Sequence, residues 1–351
     1  MPPEAGPPAP PLRLRLDRAA LAGNWRALDR LSGRARAGAA VKANGYGAGA
    51  GRVVETLSEA GCRDFFVAHW REAAEVVDRV PAGQLAMLHG PLDDAEAAWA
   101  RASGVRPVIN SPEQAARWIA AGGGPCHLMV DTGMNRLGLC PADLGDPIIA
   151  RLEIDLLMSH LSSAEEDTPL NERQRQAWAE ACAAIPHARS SLANSAGIAL
   201  GTAYHGHLTR PGLSLYGGVP CAALAPHIAP VLRPEAAVLQ VRTVGAGEPV
   251  GYNATFHAPR SMRIGTLALG YADGYLRCWS GKGRLRPAPD GPELPVLGRV
   301  SMDLTIVDLT AAPQVREGDW LCADYDLRAG AEMTGLSQYE LLTLLGTRFG
   351  R

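Results

Sequence analysis

The chain has 351 residues, 47% hydrophobic and 20% charged, with a formal net charge of -2. A pI of about 6.5 gives no basic face for nucleic acid, and no apolar run reaches the roughly 18 residues that suggest a membrane span. The length suits about two domains with ordinary cores.

The start, Met1-Pro2-Pro3-Glu4, lacks the basic and apolar regions of a secretory signal, and its Pro-rich run to Pro11 reads as a disordered tail. Cysteines stand at 62, 126, 140, 182, 221, 278 and 322, scattered, odd in number and without a C-x-x-C pair. That spacing argues against a disulfide framework and against a structural metal site. A reduced, cytoplasmic location is expected.

Leu12-Arg13-Leu14-Arg15-Leu16 alternates as a short strand, and Asp17 is placed to cap a helix running to about Leu31. Short apolar runs recur at 37–42, 64–69, 84–89, 106–110, 126–131, 154–160, 188–194 and 207–210. Helical patterns at 50–60, 70–79, 92–102, 112–121 and 171–185 separate most of them, and Ser111 before Pro112 is a helix-start signal. Eight strand candidates with intervening helices predict an α/β fold, an N-terminal (β/α)8 TIM-like barrel, over 12–230. Near 225–235 the helical period vanishes. Alternating segments at 236–243, 262–269, 294–299 and 303–309, with one helix at 337–346, predict a mainly β C-terminal domain over 231–351.

The first of the recurring runs ends in Lys42. Among 34 basic residues only Lys42 and Lys282 are lysines. Positions that need only positive charge have gone to Arg, so a Lys kept at a strand end points to chemistry that Arg cannot do. A desolvated Lys can lose its proton and attack a carbonyl. The typical product is a Schiff base, and pyridoxal 5'-phosphate (PLP) is the commonest cofactor partner. Barrel active sites form at the C-terminal strand ends, where Lys42, Asp131, His160, Asn194, Ser195 and Arg210 all fall. Asn194-Ser195-Ala196-Gly197 and Pro211-Gly212-Leu213 follow the seventh and eighth strands, where small residues let backbone N–H groups approach a phosphate.

Taken together, six stretches resemble the alanine racemase family. They are Val41-Lys42-Ala43-Asn44-Gly45-Tyr46-Gly47, Asp131-Thr132-Gly133-Met134-Asn135-Arg136-Leu137-Gly138, Met158-Ser159-His160-Leu161, Asn194-Ser195 with Arg210-Pro211-Gly212, Gly270-Tyr271-Ala272-Asp273-Gly274, and Gly298-Arg299-Val300-Ser301-Met302-Asp303. They keep the family's order from about Leu12 to Val315.

The resemblance implies a two-base racemisation of alanine, with a cofactor that delocalises the α-carbanion and an acid/base group on each face of the substrate. It implies that Lys42 holds the cofactor at rest and serves the D-alanine face once freed, and that Tyr271 serves the L-alanine face. A tyrosine needs nearby charge or hydrogen bonds to act as a base at neutral pH, a task that falls to His160 and Arg210. Arg210 is also implied to face the pyridine nitrogen. It can only donate there, so the nitrogen stays unprotonated and side reactions are restrained. Tyr46, His160 (by ring stacking), Asn194, Ser195, Gly212 and Leu213 are implied cofactor contacts, and Arg136 is implied to bind the substrate carboxylate or to hold Tyr271 in place, with the Met302 N–H as a second donor. A homodimer is implied, with Tyr271 and Met302 reaching the barrel site of the other subunit.

Position 129 is Met where many members of the family carry Lys, which puts substrate affinity and range in doubt. The segment 341–348 has no tyrosine for the phosphate, and Tyr339 lies upstream. The other readings are a racemase of broader range, a PLP decarboxylase and a non-catalytic PLP-binding protein. Arg210 and the Tyr271 motif argue against the decarboxylase, and the β domain, with Tyr271 placed for the second base, argues against the non-catalytic protein.

Overall fold

Residues 8–346 and 348–349 are described by a computed structural model. The chain divides into two units, Arg18–Pro230 and Met1–Asp17 with Val231–Arg351. The reading of residues 1–7 as tail lies outside the described residues.

In the first unit the apolar runs become parallel strands. Ala39–Ala40, Phe65–Val67, Leu85–Met87, Arg106–Ile109, Pro125–Met129, Glu153–Met158 and Arg189–Ser191 lie side by side in chain order. The eighth, Leu208–Thr209, pairs in parallel with Arg36–Ala37. The ring closes through His207 N–H to Ser190 O at 2.8 Å and Ala40 N–H to Pro211 O at 2.9 Å. Side chains alternate across the wall. Phe66, Val108, Met129, Leu156 and Met158 form one buried cluster, while Ile109, Leu128, Val130 and Leu157 pack in another with Trp118 and Ala115. Burial on both faces is why these strands read as continuous apolar runs. Near the strand starts, Arg189 binds Asp155 at 3.0 and 3.2 Å and Asp64 at 2.9 Å. Helices return between strands, as at Pro112–Ala120, where Ser111 Oγ accepts the Gln114 N–H at 3.2 Å. Such a cap contributes about 1 kcal/mol.

The second unit is an antiparallel β barrel. Leu232–Val244 pairs along its first half with Trp320–Ala323 and along its second with Met262–Leu267. Thr305–Asp308, Leu294–Leu297 and Arg284–Arg286 complete the ring back to Trp320–Ala323. Leu12–Leu16 belongs here, antiparallel to the start of the long strand, with Leu12 opposite Ala236. This corrects the placement of 12–16 with the parallel barrel. Leu12 and Leu14 are buried, whereas Arg13 lies over the Trp320 ring and Arg15 pairs with Glu235 at 3.1 Å. One buried face and one polar face suit an antiparallel sheet. A helix unforeseen in the sequence, Leu327–Thr334, starts at Asp326, whose carboxylate accepts the Ala329 N–H at 2.8 Å.

Candidate active site

Lys42 leaves the strand Ala39–Ala40 into a left-handed turn. Ala43 (φ 52°), Asn44 (φ 53°), Gly45 (φ 62°) and Tyr46 (φ 52°) all have positive φ. Left-handed backbone costs an L-residue about 1–2 kcal/mol, so the turn needs external support. Asn44 Oδ1 accepts the Ala50 N–H at 2.9 Å. Glu72, on the helix Trp70–Val76, accepts the Ala43 N–H at 2.6 Å with Oε1 and the Ala68 N–H at 2.8 Å with Oε2. Tyr46 stacks on Tyr216, with ring centroids 4.6 Å apart.

Lys42 is partly buried, and burial is the main cause of its lowered pKa. The charges of Arg136 and Arg210 act in the same direction, and Glu72 opposes them. His160, at the end of Glu153–Met158, is held neutral down to about pH 3 by burial, then by Arg210, Arg136 and Lys42. Arg210 is buried and brought down to about 10 by desolvation, so it remains a cation at neutral pH. It donates to Ser191 Oγ and to the Ser159 carbonyl. Arg136 extends from a loop organised by Asp131. Asp131 Oδ1 accepts from Gly133 N at 2.8 Å and Met134 N at 2.9 Å, and Oδ2 from Arg136 N at 3.0 Å. Burial pushes the Asp131 pKa up, but these N–H donors hold it below the ordinary value. Lys42, Arg136, His160 and Arg210 therefore share one field at the barrel mouth: cationic, with a neutral imidazole and a lysine biased toward its free-base form.

A cradle of small residues lies beside them. Ser195 Oγ accepts the N–H groups of Gly212 at 3.0 Å and Ser214 at 3.2 Å. A Cβ on Gly212 would stand 2.3 Å from Tyr46 Oη, so glycine lets the tyrosine hydroxyl pack against the backbone there. The Ser214 hydroxyl is buried without a partner among the described residues. Asn194 caps the turn Ser195–Ala199, its Oδ1 accepting the Gly197 N–H at 2.8 Å. Leu213 opens the turn Leu213–Tyr216.

In the β unit Tyr271 opens the turn Tyr271–Asp273. Its N–H bonds to Ser301 O and the Ala272 N–H to Met302 O, both at 3.0 Å, so the Tyr271 and Met302 loops lie against each other. A Cβ on Gly270 would come within 2.3 Å of Met302 O. The Arg277 guanidinium lies 5.0 Å from the Tyr271 ring centre.

Residues 16–220 match the alanine racemase N-terminal domain and 231–351 the alanine racemase C-terminal domain. The chain belongs to the alanine racemase family. It is 42% identical to the alanine racemase of Methylobacterium nodulans, covering 97% of this chain and 95% of that one. It is 43% identical to the alanine racemase of Rhodospirillum rubrum, covering 96% and 94%. A crystal structure of alanine racemase from Bartonella henselae with covalently bound pyridoxal phosphate has a TM-score of 0.87 to this chain at 35% identity, covering 98% and 99%. The protein is a PLP-dependent alanine racemase that interconverts L- and D-alanine.

The residues present suit that cofactor. Lys42 is biased toward the free amine that attacks an aldehyde. The buried Ser214 hydroxyl, which has no partner among the described residues, and the small residues around it suit a phosphate. Sequence reading missed residues that brace the candidate site. Glu72 supports the turn after Lys42. Gln174, on the long helix Pro169–Ala184, donates to His160 O at 3.0 Å and accepts the Ser162 N–H at 2.8 Å. Each is a polar residue on the buried side of a helix, the one local signal available.

Proposed function

We propose that Lys42 and Tyr271 are the two acid/base groups of the racemisation, and that the working unit is a homodimer in which Tyr271 and Met302 of the partner subunit complete the barrel site. When bound, PLP draws electrons from the substrate α-carbon and makes its proton labile. Lys42 Nζ exchanges that proton on the D-alanine face and Tyr271 Oη on the L-alanine face. Arg136 and the Met302 N–H hold the substrate carboxylate. Arg210 holds the pyridine nitrogen as a donor only, with its orientation fixed by Ser191 and Ser159. Tyr46, Ser195, Gly212, Leu213 and the loop capped by Asn194 receive the phosphate.

The observation that carries this reading is Lys42 itself, set in a left-handed turn at the end of a barrel strand, partly buried and in the field of Arg136 and Arg210, which lowers its pKa. Met302 and Leu304, exposed at 54% and 38% in one turn closed by the Ser301 N–H to Leu304 O bond, support a partner over this loop. The seven cysteines are free, which supports a cytoplasmic setting. The reaction is readily reversible, so the same groups serve D-alanine supply for cell-wall peptidoglycan or alanine breakdown.

The test compares Lys42→Ala and Tyr271→Phe with the parent protein. Lys42→Ala should lose the visible absorbance of the lysine-linked cofactor. Tyr271→Phe should keep it and lose racemisation in both directions, while still exchanging the α-proton of D-alanine with solvent. Normal racemisation by Tyr271→Phe overturns the assignment. Serine, arginine and lysine as competing substrates measure the range that Met129 leaves open.

A further inference from the structure

The Tyr271 and Met302 loops are linked by more than their backbone bonds. Asp273 lies two residues after Tyr271, and Asp303 follows Met302 directly. Arg348 reaches both, with Nε 2.7 Å from Asp273 Oδ1 and Nη1 2.7 Å from Asp303 Oδ1. The Asp273 side chain is only 1% exposed, while that of Asp303 is 56% exposed. Asp273 Oδ2 accepts the Gly270 N–H at 2.9 Å, and the Asp273 carbonyl accepts the Gly346 N–H at 2.9 Å. A carboxylate buried this deeply is costly unless an opposite charge meets it. Desolvation pushes the Asp273 pKa up, and the Gly270 N–H and Arg348 work against it. Arg suits the task because its planar fork can address two carboxylates at once, which the point charge of Lys does less well.

We propose that Arg348 is a positioning residue for the racemisation: by tying Asp273 to Asp303 it fixes the distance between Tyr271 Oη and the Met302 N–H. One group moves the proton and the other holds the substrate carboxylate, so their separation sets how well the α-proton meets the tyrosine. A displacement of about 1 Å at a reacting pair can cost on the order of a hundredfold in rate. The proposal rests on the assignment of Tyr271 to the L-alanine face.

The experiment uses the PLP-loaded full chain and its variants Arg348→Met, Arg348→Lys, Asp303→Asn and Tyr271→Phe. Arg348→Met should keep the cofactor absorbance and lose about 10- to 100-fold in kcat/KM in both directions, as reversibility demands. The deciding readout is the α-deuterium isotope effect. It should rise for L-alanine, whose proton Tyr271 removes, and stay at the parent value for D-alanine. Arg348→Lys should recover part of the rate. Asp303→Asn, at an exposed position, should show the same asymmetry more weakly without loss of fold. Parent kinetics in Arg348→Met, or a loss with equal isotope effects for both enantiomers, overturns the proposal. If Tyr271→Phe is inactive while Arg348→Met is normal, the Arg348 proposal alone fails. If Tyr271→Phe racemises normally, the Tyr271 assignment fails first.

Discussion

Glu72 Oε1 accepts the Ala43 N–H at 2.6 Å, so the peptide leaving Lys42 is held by a carboxylate from another helix. Glu72 is also the anion whose charge resists the lowering of the Lys42 pKa. Glu72→Gln retains one acceptor oxygen for two N–H groups and removes the charge. An N–H left unmatched costs about 1–3 kcal/mol, and Lys42 should deprotonate more readily still. The pH profile of PLP capture by the apoprotein should shift to lower pH, and racemisation should drop by about tenfold or more. A capture profile that stays in place would show that Glu72 does not act on Lys42.

His160 gives a pH dependence of stability with a definite sign. Its folded pKa of about 3 lies below the unfolded value near 6.5. As pH falls through that window the unfolded chain takes up a proton that the folded chain refuses, so stability is lost on acidification. Urea midpoints of the apoprotein should fall between about pH 6.5 and 3, and His160→Phe should fall less steeply. Parallel slopes would place His160 in a more solvated, charged state.

Met129 tests the barrel interior. It is 6% exposed and packs with Phe66, Val108, Leu156 and Met158. Met129→Leu keeps the volume and should cost less than about 1.5 kcal/mol. Met129→Lys puts an ammonium into that apolar cluster and should cost about 3 kcal/mol or more by chemical denaturation. Equal stability of the two variants would mean that the lysine reaches an anion from this position.

Gly212→Ala addresses the cradle. The added methyl would lie 2.3 Å from Tyr46 Oη and 3.4 Å from the Ala40 Cβ, both on well-buried residues. Affinity for PLP should fall at least about tenfold, while affinity for unphosphorylated pyridoxal should change little. Equal losses for both ligands would remove the phosphate from this loop.

Much of the architecture was legible because parallel barrel strands are buried on both faces and stand out as apolar runs. Among the proposed site residues, the sequence marked Lys42 by its rarity, and Tyr271 and Arg136 by the motifs around them. Other features had no local signature. Ala43, Asn44 and Tyr46 adopt left-handed backbone without being glycine, and what holds them there includes Glu72, 29 positions from Ala43 in sequence. Arg348 is one of many arginines until folding brings Asp273 and Asp303 to it. The alternation at Leu12–Leu16 identified a strand correctly and said nothing of its neighbour, so adjacency in sequence was mistaken for adjacency in space.

That first strand also imposes an order on folding. Its partner, Leu232–Ala236, leaves the ribosome only after the whole parallel barrel has been made. The barrel can therefore close as a central, self-contained body while the opening strand waits unpaired. Its two arginines, alternating with leucines, keep that waiting edge charged and poorly suited to pairing with other nascent chains.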